Sequence, residues 1–261
     1  MSAMTLDVSG TRKTSFWRLA RVELRKSYDT RAGFWLLVSI GLIVLAAEVI
    51  VLAVTTVQDE PISWGDFIGV AAFLTSFLLP VLGIMVLTTE WSQRSAMVTF
   101  SLEPRRPLVI AAKAFVGVLL TLATVAVSVV IGLVCTLIYG LIEGGADWSF
   151  GWPDMFAFLV TQVLAMLGGF ALAALLLNTP AAIVAFFVYK WVLPPLFFAG
   201  AALMGWFDSL APWIDFQSSQ EAIWDWSSSG EDWAQLVVSG IIWLGIPLAI
   251  GIRRVLRAEV K

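Results

Sequence analysis

Six runs of about 18 or more mostly apolar residues dominate this chain, at roughly 33–55, 67–88, 114–141, 155–177, 181–206 and 234–252. At about 1.5 Å of rise per residue, each is long enough to cross the hydrocarbon core of a bilayer as a helix. A compact soluble domain of 261 residues could not hide them: 59% of the chain is apolar, 13% is charged and the mean hydropathy is +0.89. Soluble domains carry about 25% charged residues. The solvent for most of this surface is therefore lipid, which excludes an ordinary soluble enzyme. The fourth and fifth runs are separated only by Asn178-Thr179-Pro180, a helix stop followed by a helix start that predicts a tight hairpin.

The charges sort by segment. Of the 16 Lys and Arg residues, 15 fall in the arm before the first run, between runs two and three, or after run six; the exception is Lys190, inside run five. The other three connections contain only acids, among them Asp59, Asp66, Glu143, Asp147, Asp154, Asp208, Glu221 and Asp232. The positive-inside rule then places both termini in the cytoplasm. The organisation expected is a cytoplasmic arm at 1–32, a six-span domain at 33–252 and a cytoplasmic tail at 253–261. The first run follows a long charged arm and is too long for a signal h-region, so it is expected to stay as a span. The net charge of −3 carries little information because the bases are segregated, and no nucleic-acid partner is expected.

Histidine is absent, which removes Ser-His triads, HExxH zinc sites and imidazole relays. No GxxxxGK[ST] phosphate loop occurs, so the chain is not expected to bind ATP or to be an enzyme on its own. The single cysteine, Cys135, can form neither an internal disulfide nor a structural zinc site, and no metal site is expected. Within the spans the ionisable residues are Glu48 and Lys190, too few for the carboxylate chain of a proton-driven pump.

Two segments on the basic side carry more than topology. Residues 15–28 place Phe16, Trp17, Ala20, Leu24 and Tyr28 on one helical face beside Arg18, Arg21 and Arg25, the pattern of an amphipathic helix lying in the headgroup region. Residues 90–113, EWSQRSAMVTFSLEPRRPLVIAAK, read as a short helix closed by Pro104 and Pro107. Trp91, Met97 and Phe100 there are expected to be exposed anchors of the kind that fill a partner's pocket.

This second segment resembles the signature loop of the ABC-2 type permeases, the membrane subunits of bacterial ATP-binding-cassette exporters. Glu90, Trp91, Arg94, Ser95, Leu102, Arg105 and Lys113 occupy the corresponding positions, with Ser95 where many relatives have glycine. The resemblance covers the whole chain and implies an all-α polytopic fold in a cell membrane, with an N-terminal interfacial helix, a coupling helix between spans two and three, and re-entrant or surface helices before span six. It further implies two copies of a separate cytoplasmic ATPase that carry the ATP and Mg²⁺, and a second permease subunit. Glu90, Trp91, Arg94, Met97, Phe100, Glu103, Arg105 and Arg106 would contact that ATPase.

For the pathway, the proline pair Pro194-Pro195 predicts a broken span five, and Phe186, Phe187, Tyr189, Lys190 and Trp191 beside it are candidate lining residues, together with Glu48. Lys190 has a second reading as a side chain snorkelling to the headgroups, by roughly 6 Å. Ala165, Gly169 and Ala173 form a small-residue stripe expected to pack helices. The function expected is export of an amphipathic drug, peptide or lipid. A secondary transporter or channel acting alone, and a regulatory membrane subunit without transport, are the alternatives.

Overall fold

The computed structural model describes residues 14–93 and 96–257. Among these the architecture is helical, with one isolated bridge between Ser63 and Asp147. The helices are α1 (Phe16–Asp29), α2 (Arg31–Gln58), α3 (Trp64–Ser92), α4 (Ala96–Leu102), α5 (Arg106–Glu143), α6 (Trp152–Leu176), α7 (Thr179–Trp191), α8 (Leu193–Leu203), α9 (Gly205–Ile214), α10 (Phe216–Ser219), α11 (Glu221–Trp224), α12 (Gly230–Gly240) and α13 (Ile246–Arg257). A five-residue π turn, Ile241–Gly245, joins α12 to α13. Six segments, α2, α3, α5, α6, α7 with α8, and α12 with α13, are long and apolar enough to cross a membrane. The chain is thus a multi-pass membrane protein, as its hydropathy required.

Helices α3 and α6 form the centre. Gly83 of α3 lies against the Met166 carbonyl and Gly169 of α6 against the Pro80 carbonyl, so that any Cβ at either position would strike backbone. Close backbone approach through small residues is how helices associate where lipid removes the hydrophobic drive. Gly169 and Ala173 are buried in this packing as the small-residue stripe predicted, while Ala165 faces a cavity. Gly251 meets Ala174, seating α13 on α6.

At the acidic end the spans start with matched caps. Asp66 and Asp232 stand three residues after Ser63 and Ser229 in reciprocal capping boxes, and Asp154 accepts the Gly151 N–H at 2.9 Å. Each aspartate sits in a first turn, where it also complements the helix dipole. The Trp64 N–H donates to the Asp147 carbonyl at 2.9 Å and the Tyr139 hydroxyl to the Glu60 carbonyl at 3.1 Å, closing that end.

Span five is broken as expected. α7 ends at Trp191 and α8 begins at Leu193, and the prolines at 194 and 195 leave the Lys190 and Trp191 carbonyls without helical N–H donors. The next segment folds back along the bundle: Gln217 donates to the Tyr189 carbonyl at 3.1 Å, and the Trp243 indole N–H to the Ile214 carbonyl at 2.6 Å.

Candidate functional site

Two places gather polar chemistry against apolar packing. The first is at the basic end, where α1, α3, α4 and α5 meet. Ser15 caps α1, which then turns Ala20 and Glu23 inward; Phe16 packs edge-on to Phe115 of α5 at 5.6 Å. The expected surface helix is therefore docked on protein along one face, leaving Trp17 and Tyr28 exposed.

Beneath α1 lies a network of two acids and two bases. Lys113, 3% exposed, donates to Glu23 at 2.6 Å and to the Val86 carbonyl at 3.3 Å, and stands 3.4 Å from Glu90. Lys26 bridges the same two carboxylates at 2.8 Å each. Thr99 of α4 adds a hydrogen bond to Glu90 at 3.0 Å. Partial burial pulls the Lys26 pKa down, but the Glu23 and Glu90 carboxylates more than offset it, and the net shift is upward. Among the described residues, two acids and two bases thus fasten α1, α3, α4 and α5 together beside a cavity of about 260 Å³.

The loop helix α4 is clamped over this network. Phe100 is buried, with Trp91 edge-on at 5.8 Å and the Arg106 guanidinium 4.9 Å above its ring. Arg106 also donates to the Val255 and Leu256 carbonyls at 3.3 and 3.1 Å. Glu103 is buried and accepts from the Arg105 side chain at 2.8 and 3.0 Å, and Arg105 reaches the Thr14 carbonyl at 2.6 Å. The Arg105 hydrogen bonds hold the Glu103 carboxyl down at about 2.

This corrects the expectation that Trp91, Met97 and Phe100 are all exposed. A seven-residue helix gives one face to the bundle, and the i, i+1, i+4 set Thr99, Phe100 and Glu103 is that face. Trp91 is half-buried, and the apolar residues left outside are Met97, Val98 and Leu102. Arg94 and Ser95 lie outside the described residues.

The second place is a cavity of about 510 Å³ bounded by α3, α6, α7, α10, α11 and the π turn. Phe186, Tyr189 and Lys190 line it. Phe187 packs edge-on to Phe186 at 5.5 Å, and Trp191 stacks on Phe77 at 5.3 Å. Residues the sequence reading missed complete the wall: Gln162, whose Nε2 donates to the Ala72 carbonyl at 3.3 Å, and Gln217 and Trp243, brought in by the fold-back segment. Across the cavity Pro80 deprives the Ser76 carbonyl of its helical donor.

Glu48 does not join this set. It is fully buried in α2, within electrostatic range of Cys135 in α5, and neither carboxyl oxygen has a hydrogen-bond partner. The pathway residues expected from sequence therefore separate into a Lys190 cavity and an isolated carboxyl in another helix interface. Among the described residues no group of three His, Cys, Asp or Glu side chains could hold a metal ion. No protein-family model matches this chain, and no curated protein matches it either.

Proposed function

We propose that the chain is the membrane subunit of an ATP-driven exporter of the ABC-2 type, with its basic end in the cytoplasm and its pathway completed by a second subunit. The observation that carries this reading is α4: a short helix anchored through Glu90, Phe100 and Glu103 that still turns Met97, Val98 and Leu102 outward, at 50%, 61% and 79% exposure. Such anchors on a rigid mount are what a separate ATPase would need to push on. Because Thr99 and Glu90 join α4 to the charge network, a push there would reach α1, α3 and α5 together. The fold-back of α9–α11 supports a re-entrant segment. The pairs α7–α8 and α12–α13, each with only 11% of its most apolar window buried, leave faces for lipid and a second copy.

The reading is tested by asking whether a phosphate-loop ATPase is encoded in a neighbouring reading frame and co-expressing it with the tagged chain. Replacing Met97, Val98 and Leu102 by serine should leave insertion and thermal stability unchanged while ATPase co-purification and ATP-dependent transport fall together by at least about tenfold. Transport by the purified chain without any ATPase, unchanged by the triple substitution, would overturn it. Orientation has its own check: Ser228→Cys in a Cys135→Ser background should react with an impermeant thiol reagent added to intact cells. Reaction only after permeabilisation would reverse the topology.

A further inference from the structure

We propose that the Lys190 cavity is a binding site for an amphiphile with a single anionic head group, the anion seated on Lys190 and the tail lying along the α6–α7 wall. Among the described residues, Lys190 has no carboxylate within 4.0 Å and no hydrogen bond; its neighbour is the face of Phe77, 5.3 Å from ammonium to ring centre. A half-buried ammonium set against an aromatic face with no counter-charge in contact is costly, and the cavity leaves room for one from outside the chain. Snorkelling does not resolve it. Lys190 is eleven residues from Thr179, the basic-end start of α7, or about 16 Å of helix, against a side-chain reach of roughly 6 Å.

The rest of the cavity fits such a ligand. Gln162 keeps a buried Oε1 with no donor, and with the Ser76 carbonyl it can accept from a head-group hydroxyl or N–H. Leu164, Leu172 and Val188 give an apolar wall, and Val188 is 48% exposed, so the cavity opens sideways toward lipid. Glu221 is the one carboxylate on the lining and is exposed; it would repel a polyanion such as a nucleotide while tolerating one negative charge. One negative charge on an acyl tail is common to an anionic bilayer phospholipid and a free fatty acid, and a phosphatidylglycerol head adds the hydroxyl donor. The site deepens the permease reading by naming a ligand class, but it is tested by binding alone, with no ATPase present.

The experiment uses the purified chain in phosphatidylcholine vesicles and follows tryptophan quenching by a dibrominated stearate, with the matching dibrominated alcohol as neutral control; Trp224 and Trp243 line the cavity. Saturable quenching by the acid should weaken about tenfold in Lys190→Met and persist in Lys190→Arg, with the alcohol unaffected by either. Gly168 lines the cavity and has no atom within 4 Å of an added Cβ, so Gly168→Leu should fold and weaken both probes. Equal quenching by acid and alcohol in the unaltered chain, or an unchanged acid affinity in both Lys190→Met and Gly168→Leu, would overturn the proposal. Vesicles enriched in phosphatidylglycerol separate the two sources: competition with the stearate assigns the site to a bilayer head group, and none assigns it to the free acid.

Discussion

Lys113 and Lys190 are both lysines inside apolar helices, and they are treated in opposite ways. Lys113 meets Glu23, Glu90 and the Val86 carbonyl, whereas Lys190 meets an aromatic face and a cavity. Their surroundings differ in the same sense. The most apolar window of α5, which carries Lys113, is 28% buried, against 11% in α7–α8, which carries Lys190. A charge whose counter-charges come from the same chain works as a fastener and belongs where helices must stay together. A charge left open belongs where something else arrives, and the structure spends little packing around it.

Removing Lys113 should break this contrast most severely. Lys113→Met removes the buried partner of Glu23 and leaves Lys26, which is 43% exposed, to serve both carboxylates; breaking a buried ion pair from one side costs about 3–5 kcal/mol. Thermal unfolding in detergent should show a large loss, partly restored by adding Glu23→Gln; no loss would mean that the network is not a fastener. Phe100→Ala comes next, at about 3 kcal/mol, because it empties a buried aromatic site and removes the seat of the Arg106 guanidinium. An unchanged unfolding midpoint there would return Phe100 to the exposed partner-facing role that its sequence context implies. Lys190→Met should have the smallest effect on stability, within about 1 kcal/mol, since methionine matches its bulk and needs no partner. A loss as large as that of Lys113→Met would erase the distinction between the two lysines.

Much of the architecture is legible from residue patterns because lipid imposes simple rules. Apolar run length marked all six spans, and Pro194-Pro195 marked the break in the fifth within a few residues. Gly169 belongs to a stripe that marks close helix packing, but the helix it meets and its partner, the Pro80 carbonyl, depend on how α3 and α6 cross. The basic-end network was harder. Glu23 sits among the arginines and the lysine of α1, and its inward direction follows only once α1 docks beside Ala20 and Phe16 on α5. A usable signal existed: Glu23, Glu90 and Glu103 are acids on the side that carries nearly all the bases, and each one is paired in the structure. The aspartates of the acidic end likewise read as a charge bias alone, when the spacing of Ser63 to Asp66 and Ser229 to Asp232 also spells a cap. In the α4 loop aromatic character does not mark partner contact, because a seven-residue helix first uses its largest ring to hold itself down. Gln217 and Trp243 reach the cavity through tertiary folding of α9–α11, for which no local pattern exists.

The π turn at Ile241–Gly245 has a consequence for how one span serves two neighbours. Gly240 lies against Phe216 of α10, and Gly251 against Ala174 of α6. Positions eleven apart in a regular α-helix nearly eclipse one another, so both glycines would point the same way. One residue of extra width turns the later half by about 100° relative to the earlier half. The last span is in effect two rulers joined out of phase. Its first half is ruled against the fold-back segment and its second against the central helix, and a regular α-helix drawn through the same residues would leave only one of those contacts in register.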